Sequence, residues 1–155
     1  MNPIITLILL TLTPALELRA SIPFGILSGM DWIFVSILAV TVNIILGLVL
    51  YIFLDLIIRI VTKIKLINRC YNKYVEHTQK RIKGAVEKYG KWAVAIFIAI
   101  PLPGSGVYTG ALAAYLIGLK KREFLVACIL GVIVAGIIVT AVTLSGSGIF
   151  RWIIK

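Results

Sequence analysis

The stretch "PLPGSGVYTG" (residues 101–110) interrupts an uncharged segment, residues 92–119, that is otherwise long enough to cross a membrane. Its two prolines and three glycines disfavour a continuous helix, because proline lacks a backbone N–H and glycine is conformationally free. At membrane depth, a broken helix survives only where its unpaired backbone groups are buried in protein or line a wet cavity. The segment is therefore either one kinked span or a re-entrant hairpin that enters and leaves on the same side.

The distribution of lysine and arginine favours one of these two forms. Residues 55–91 carry ten of the 16 basic residues, and the positive-inside rule places them in the cytoplasm. The next basic cluster is "KKR" at residues 120–122, which would lie outside if residues 92–119 crossed the membrane. If that segment turns back instead, 13 of the 16 basic residues are cytoplasmic. We therefore expect a re-entrant hairpin over residues 91–119.

The composition indicates an all-α integral membrane protein with a single domain over residues 1–155. The chain is 61% hydrophobic and only 14% charged, whereas soluble domains are about half apolar and about one quarter charged. The net charge of +10 is concentrated between apolar blocks, so it indicates a membrane surface and not a nucleic acid.

The first thirty residues repeat the pattern of short apolar runs around a break. The stretch "ELRASIPFGILSG" (residues 17–29) begins with two charges, and the apolar run before it is about 20 Å long as a helix. The hydrocarbon core is about 30 Å thick, so we expect a second hairpin over residues 3–30. The residues expected at the breaks are Pro23 and Gly25 in the first hairpin, and Pro101, Pro103, Gly104 and Gly106 in the second.

Residues 32–56 and 122–146 complete this topology as transmembrane helices, because each contains an uncharged run long enough to span, residues 32–54 and 124–146. Hairpin plus span then occurs twice in opposite orientations, an inverted repeat that is common among secondary transporters. Both termini would lie outside, and residues 59–90 and 120–122 would lie in the cytoplasm.

Residues 59–90 carry apolar side chains every three or four positions, which predicts one face of an amphipathic helix. Basic residues fill its other faces, so the helix is expected to lie on the membrane and contact anionic lipid headgroups. A simple connector between the two halves explains the segment equally well.

Glu17 and Arg19 are the candidate functional residues. A charge at the bilayer centre costs about 2.5–3.5 kcal/mol, so an ionisable residue at that depth indicates function. We expect Glu17 to couple transport to a proton and Arg19 to bind an anion such as phosphate through its fork of donors. In the alternative, both lie near the interface and Arg19 reaches the headgroups.

Further candidate substrate-binding residues are Asn43, Ser105, Tyr108 and Thr109. Asn43 could equally form an interhelical hydrogen bond, and the three hydroxyls could cap the helix that starts there. The sequence offers no nucleophile with a base, no phosphate loop and no metal-ligand cluster, so we expect neither an enzyme nor a cofactor or metal.

The runs "ELRASIPFGI" (residues 17–26) and "IPLPGSGVYTGALAAYLIGLKKREF" (residues 100–124) resemble the small multidrug export protein family. The resemblance extends over about residues 12–145. That family is similar to the DedA-like group, whose fold implies two re-entrant hairpins that face each other. Members of the group are implicated in moving polyprenyl-phosphate and phospholipids.

The resemblance also implies roles for particular residues. It makes Glu17 the embedded acid of the first hairpin and places Pro103 and Gly104 in the turn of the second. DedA-like proteins typically carry an arginine after this Pro-Gly pair, where the present chain has Ser105. Arg19, the only deep basic residue, would then take over the binding of phosphate.

These observations predict a small DedA-like transporter with proton-coupled translocation of an amphipathic or anionic substrate, such as a polyprenyl-phosphate or another phospholipid. The alternatives are an ungated lipid scrambler, a membrane organiser without ion coupling, a small multidrug exporter, and a partner subunit without a substrate path. A homo-oligomer is plausible for so short a chain.

Overall fold

The computed structural model describes residues 2–63, 89–102 and 105–153, with side chains described for 2–54, 89–102 and 105–146. Within these ranges the main helices follow one order twice: two short helices and then a long one. They are α1 (Pro3–Leu12), α2 (Glu17–Leu27), α3 (Trp32–Lys63), α4 (Lys91–Ala99), α5 (Val107–Leu116) and α6 (Lys121–Ile153). The described part contains no strand, which confirms the all-helical prediction for these residues.

The two long helices contain segments that can cross a membrane, Trp32–Leu54 and Lys121–Gly146. Their outward side chains are large and apolar: Ile37 is 62% exposed and Ile137 is 64% exposed, as expected for surfaces that face lipid. These segments agree with the predicted spans and support a membrane protein.

α3 does not end near residue 56, the predicted end of the span before a separate basic helix predicted from residue 59. It continues to Lys63 because residues 55–63 contain no proline or glycine to end a helix. The rest of the predicted basic helix, residues 64–88, lies outside the described residues.

The break between α1 and α2 lies before Glu17. Pro14 restricts the residue before it, and Thr13 accordingly ends α1 in an extended conformation, with φ −78° and ψ 125°. Pro23 and Gly25, the residues predicted to break this hairpin, instead lie inside the continuous helix α2.

Pro23 and Gly25 are compatible with a helix for different physical reasons. Membrane-embedded helices tolerate proline because neighbouring groups satisfy the backbone. Gly25 allows close packing: an added Cβ would lie 2.7 Å from the γ-carbons of Val35 and 2.8 Å from Leu7 Cδ1. This glycine therefore lets α2 approach α1 and α3, as small residues do between membrane helices.

The second break separates α4 from α5. Pro101 and Gly106 lie in it, as predicted, whereas Pro103 and Gly104 lie outside the described residues. Small residues also bring α4 against α6, since a Cβ at Gly131 would lie 2.7 Å from the carbonyl oxygen of Ala95. The short helices α2 and α5 both pack against the long helices α3 and α6, and this shared packing brings the two breaks together.

Candidate functional site

Glu17, the first residue of α2 after the first break, contacts the start of α5, which follows the second break. The side chain is 6% exposed, and its Oε2 accepts a hydrogen bond from the Val107 N–H at 3.1 Å. Its Oε1 accepts from the Tyr108 N–H at 3.4 Å. The first N–H groups of a helix have no partner within that helix and carry a partial positive charge. A carboxylate from one half of the chain thus caps a helix in the other half.

Gly106 makes room for this carboxylate. It precedes α5 and has no side chain to cap the helix, with φ 132° and ψ −170°. A Cβ at this position would lie 2.7 Å from Glu17 Oε2 and 2.8 Å from Oε1. The glycine is required both by its backbone conformation, which is essentially restricted to glycine, and by the carboxylate beside it.

The backbone leading to the carboxylate is also unusual. Ala15 has φ 70° and Glu17 has φ 42°, a region that residues with a Cβ seldom adopt. Such conformations persist where the surrounding structure holds them in place and are common at functional sites. The bonds between Glu17 and α5 supply such a restraint.

Arg19, two residues after Glu17 on α2, contacts the second break itself. Its Nη2 donates to the carbonyl oxygen of Ser105 and lies 3.3 Å from Ser105 Oγ. The Ser105 hydroxyl in turn lies within hydrogen-bond distance of the Ile100 and Leu102 carbonyl oxygens. In this conformation Arg19 therefore stabilises the second break, and its Nη2 group is already hydrogen-bonded within the protein.

Asn43 approaches Glu17 from the middle of Trp32–Leu54, the segment of α3 that can cross a membrane. It is 1% exposed, and its Nδ2 donates to Glu17 Oε2 over a long distance of 3.5 Å. Its Oδ1 is buried and has no hydrogen-bond partner among the described residues. Asn43 thus lies in the site, but its amide is only partly satisfied there.

Tyr108 links the two breaks a second time, because its hydroxyl donates to the carbonyl oxygen of Leu12 at 2.5 Å. Leu12 is the last residue of α1, where the carbonyl groups lack partners within the helix. Thr109 is buried on α5 beside Tyr108, and among the described contacts none joins it to Glu17 or Arg19.

A cavity of about 10 Å³ lies among these groups. A cavity of about 10–15 Å³ holds a single water molecule, so no lipid headgroup or drug fits in this conformation. Glu17, Arg19 and Asn43 all line it, together with Pro101 and Gly106. In this conformation the contact between the two breaks is therefore closed to molecules of that size.

Comparison with known proteins gives one family match. A family model described as "Putative small multi-drug export protein" matches residues 17–138, from the buried carboxylate to the last third of the chain. No curated protein and no solved structure gives a significant match.

Proposed function

The chain belongs to the small multi-drug export protein family, and from that premise we propose a membrane transporter gated by protonation of Glu17. The observation that carries this proposal is the buried Glu17 carboxylate, which joins the two breaks through the N–H groups of Val107 and Tyr108. We propose that the substrate is amphipathic or anionic, such as a polyprenyl-phosphate or another phospholipid.

The coupling follows from the chemistry of a carboxylate that caps a helix. When Glu17 is ionised, hydrogen bonds to its charge are worth about 1.5–3 kcal/mol each and hold the breaks together. When Glu17 takes up a proton, the charge is lost and both bonds weaken. The breaks can then separate, and Arg19 can leave Ser105 and present its guanidinium to an anion.

We further propose that α1 with α2, and α4 with α5, form re-entrant hairpins of opposite orientation. α1 contains ten residues and α4 contains nine, which give lengths of about 15 Å, or half the hydrocarbon thickness. The repeated order of short, short and long helices supports an inverted repeat in which the two breaks meet inside the membrane.

This topology predicts where two introduced cysteines are accessible. In a chain without Cys70 and Cys128, we expect Asn2→Cys to react with an impermeant maleimide only from outside, and Lys120→Cys only from the cytoplasm. The positive-inside rule and the second hairpin together require the cytoplasmic position of residue 120. Labelling in intact cells and in inverted vesicles measures both, and an external Lys120→Cys would rule out the hairpin.

A second candidate function is the export of small apolar compounds. A groove of about 370 Å³ lies between α3 and α6, and its lining is almost entirely apolar. Ile37 and Ile137 line the groove and are largely exposed, so a drug-sized apolar molecule or an acyl chain could reach it from the lipid. The description of the family favours this candidate.

Purified protein in liposomes distinguishes these functions. We expect an imposed pH gradient to accelerate the movement of a fluorescent anionic phospholipid at least about tenfold more than that of its zwitterionic analogue. The variant Arg19→Gln should lose this preference, since about 1.4 kcal/mol of lost anion binding is a tenfold change. Lys91→Gln, which removes a positive charge at the start of α4, serves as the matched control.

Each other outcome of the assay identifies another function. Lipid movement without any effect of the gradient would indicate a scrambler. Gradient-driven efflux of an apolar dye without lipid movement would indicate the second candidate. An anionic preference that survives in Arg19→Gln would exclude Arg19 from substrate binding.

A further inference from the structure

We propose that the Asn43 side-chain amide turns over, so that Oδ1 and Nδ2 exchange places, when Glu17 gains or loses its proton. The contact between Glu17 and α3 then depends on the protonation state of Glu17. This inference rests on the proposed function, because it assigns a positioning role next to the same carboxyl group. Its starting point is Asn43 Oδ1, which is buried and has no partner among the residues with described side chains. A buried acceptor without a donor has lost its hydrogen bonds to water and gained none in return, so such a group requires an explanation.

The two protonation states of Glu17 present different partners to Asn43. An ionised carboxylate only accepts hydrogen bonds, and the Asn43 Nδ2 group accordingly points toward Glu17 Oε2. A protonated carboxyl group also carries an O–H donor. If the amide turns over, Asn43 Oδ1 takes the place of Nδ2 and accepts this new donor.

The other groups around Glu17 cannot respond in this way. Among the residues with described side chains, the titratable groups that interact with its charge are Arg19 on α2, Tyr108 on α5 and Cys128 on α6. The Arg19 guanidinium has donors only, and the Tyr108 hydroxyl is bonded to the Leu12 carbonyl. Cys128 is buried, and a thiol is a weak donor and a weak acceptor. Among these neighbours, Asn43 alone combines a strong donor that already faces Glu17 with a strong acceptor that has no partner among the described residues.

The consequence concerns α3. Glu17 joins the two breaks through α5, but Asn43 lies in the middle of the helix that crosses the membrane. In the ionised state Asn43 makes one long bond and leaves Oδ1 unpaired, whereas in the protonated state its carbonyl gains a direct donor. Protonation would thus strengthen the contact between α2 and α3 while it weakens the contact between α2 and α5.

Infrared difference spectroscopy during a pH titration, on the full protein in lipid bilayers, tests this inference. With asparagine labelled by ¹³C at the side-chain carbonyl, we expect the labelled amide band to shift in step with the carboxyl band of protonated Glu17. Both changes should vanish in Glu17→Gln. In Asn43→Leu the amide change should disappear, and the carboxyl band should move to higher frequency because its O–H loses an acceptor. Thr41→Ala, at an exposed position on the same helix, should behave like the wild type.

The outcomes separate the two proposals. A Glu17 carboxyl band that titrates, with no change in the labelled amide band, would overturn the role of Asn43 and leave the proton coupling intact. A carboxyl band at the same frequency in Asn43→Leu as in the wild type would also overturn the role of Asn43 and leave the proton coupling intact. No Glu17-dependent carboxyl band at any pH would overturn both the inference and the proposed function. The labelled wild-type protein gives a result even if Asn43→Leu does not fold.

Discussion

The variant Glu17→Gln is expected to lose transport driven by a pH gradient while it remains folded in the membrane. A glutamine side chain has nearly the same shape as glutamate, but it is neutral and cannot take up or release a proton. The carboxylate places one oxygen on each of two α5 N–H groups, those of Val107 and Tyr108, whereas the amide replaces one of these oxygens with an NH2 group that cannot accept. Gradient-driven flux in liposomes should fall at least about tenfold, since a lost hydrogen bond to a charged group is worth about 1.5–3 kcal/mol.

Glu123 provides a matched control for this variant. Like Glu17, it is a carboxylate near the start of a helix and accepts a backbone N–H, that of Lys120, at 3.1 Å. It lies outside the site, so Glu123→Gln should retain the response to the gradient. Glu17→Asp should retain part of it, because the charge remains on a side chain one methylene shorter. Full gradient-driven flux in Glu17→Gln would remove the proposed coupling.

The break between α4 and α5 lies where the sequence predicts it, whereas the break between α1 and α2 does not. The difference has a physical reason. Between α4 and α5, Pro101 and Gly106 occur in a dense proline and glycine cluster, and the helix ends there. In the first half of the chain, Pro23 and Gly25 are tolerated inside α2 because neighbouring helices pack around them. Pro14 was the stronger signal, since a proline disfavours helical conformation in the residue before it.

Part of the site was also predictable from the sequence. Glu17 and Arg19 stand out because charges in an apolar segment are costly, and the structure places both at the contact between the breaks. The partners of Glu17 were not predictable, because backbone N–H groups look alike in every sequence. Gly106 was assigned to a break, whereas its second role as the space for a carboxylate appears only when the two halves are packed together.

The variant Gly106→Ala is expected to destabilise the closed site more than any other glycine-to-alanine change near it. The backbone at φ 132° and ψ −170° is strained for alanine by about 1–3 kcal/mol. The added methyl group would also meet both oxygens of Glu17, and such overpacking typically costs a further 1–3 kcal/mol or so. The free energy of unfolding in mixed micelles of a mild detergent and sodium dodecyl sulfate measures the loss.

Two comparisons separate backbone strain from the clash with the carboxylate. Gly118 also has positive φ, at 70°, but an added Cβ there has no neighbour within 4 Å, so Gly118→Ala should lose only the smaller backbone contribution. Combining Gly106→Ala with Glu17→Ala removes the carboxylate that the methyl group would meet. The effects of these two changes should then be less than additive, as expected for residues in direct contact. Strictly additive losses would show that the carboxylate does not occupy the space beside Gly106. They would thereby contradict the hydrogen bonds through which Glu17 caps α5.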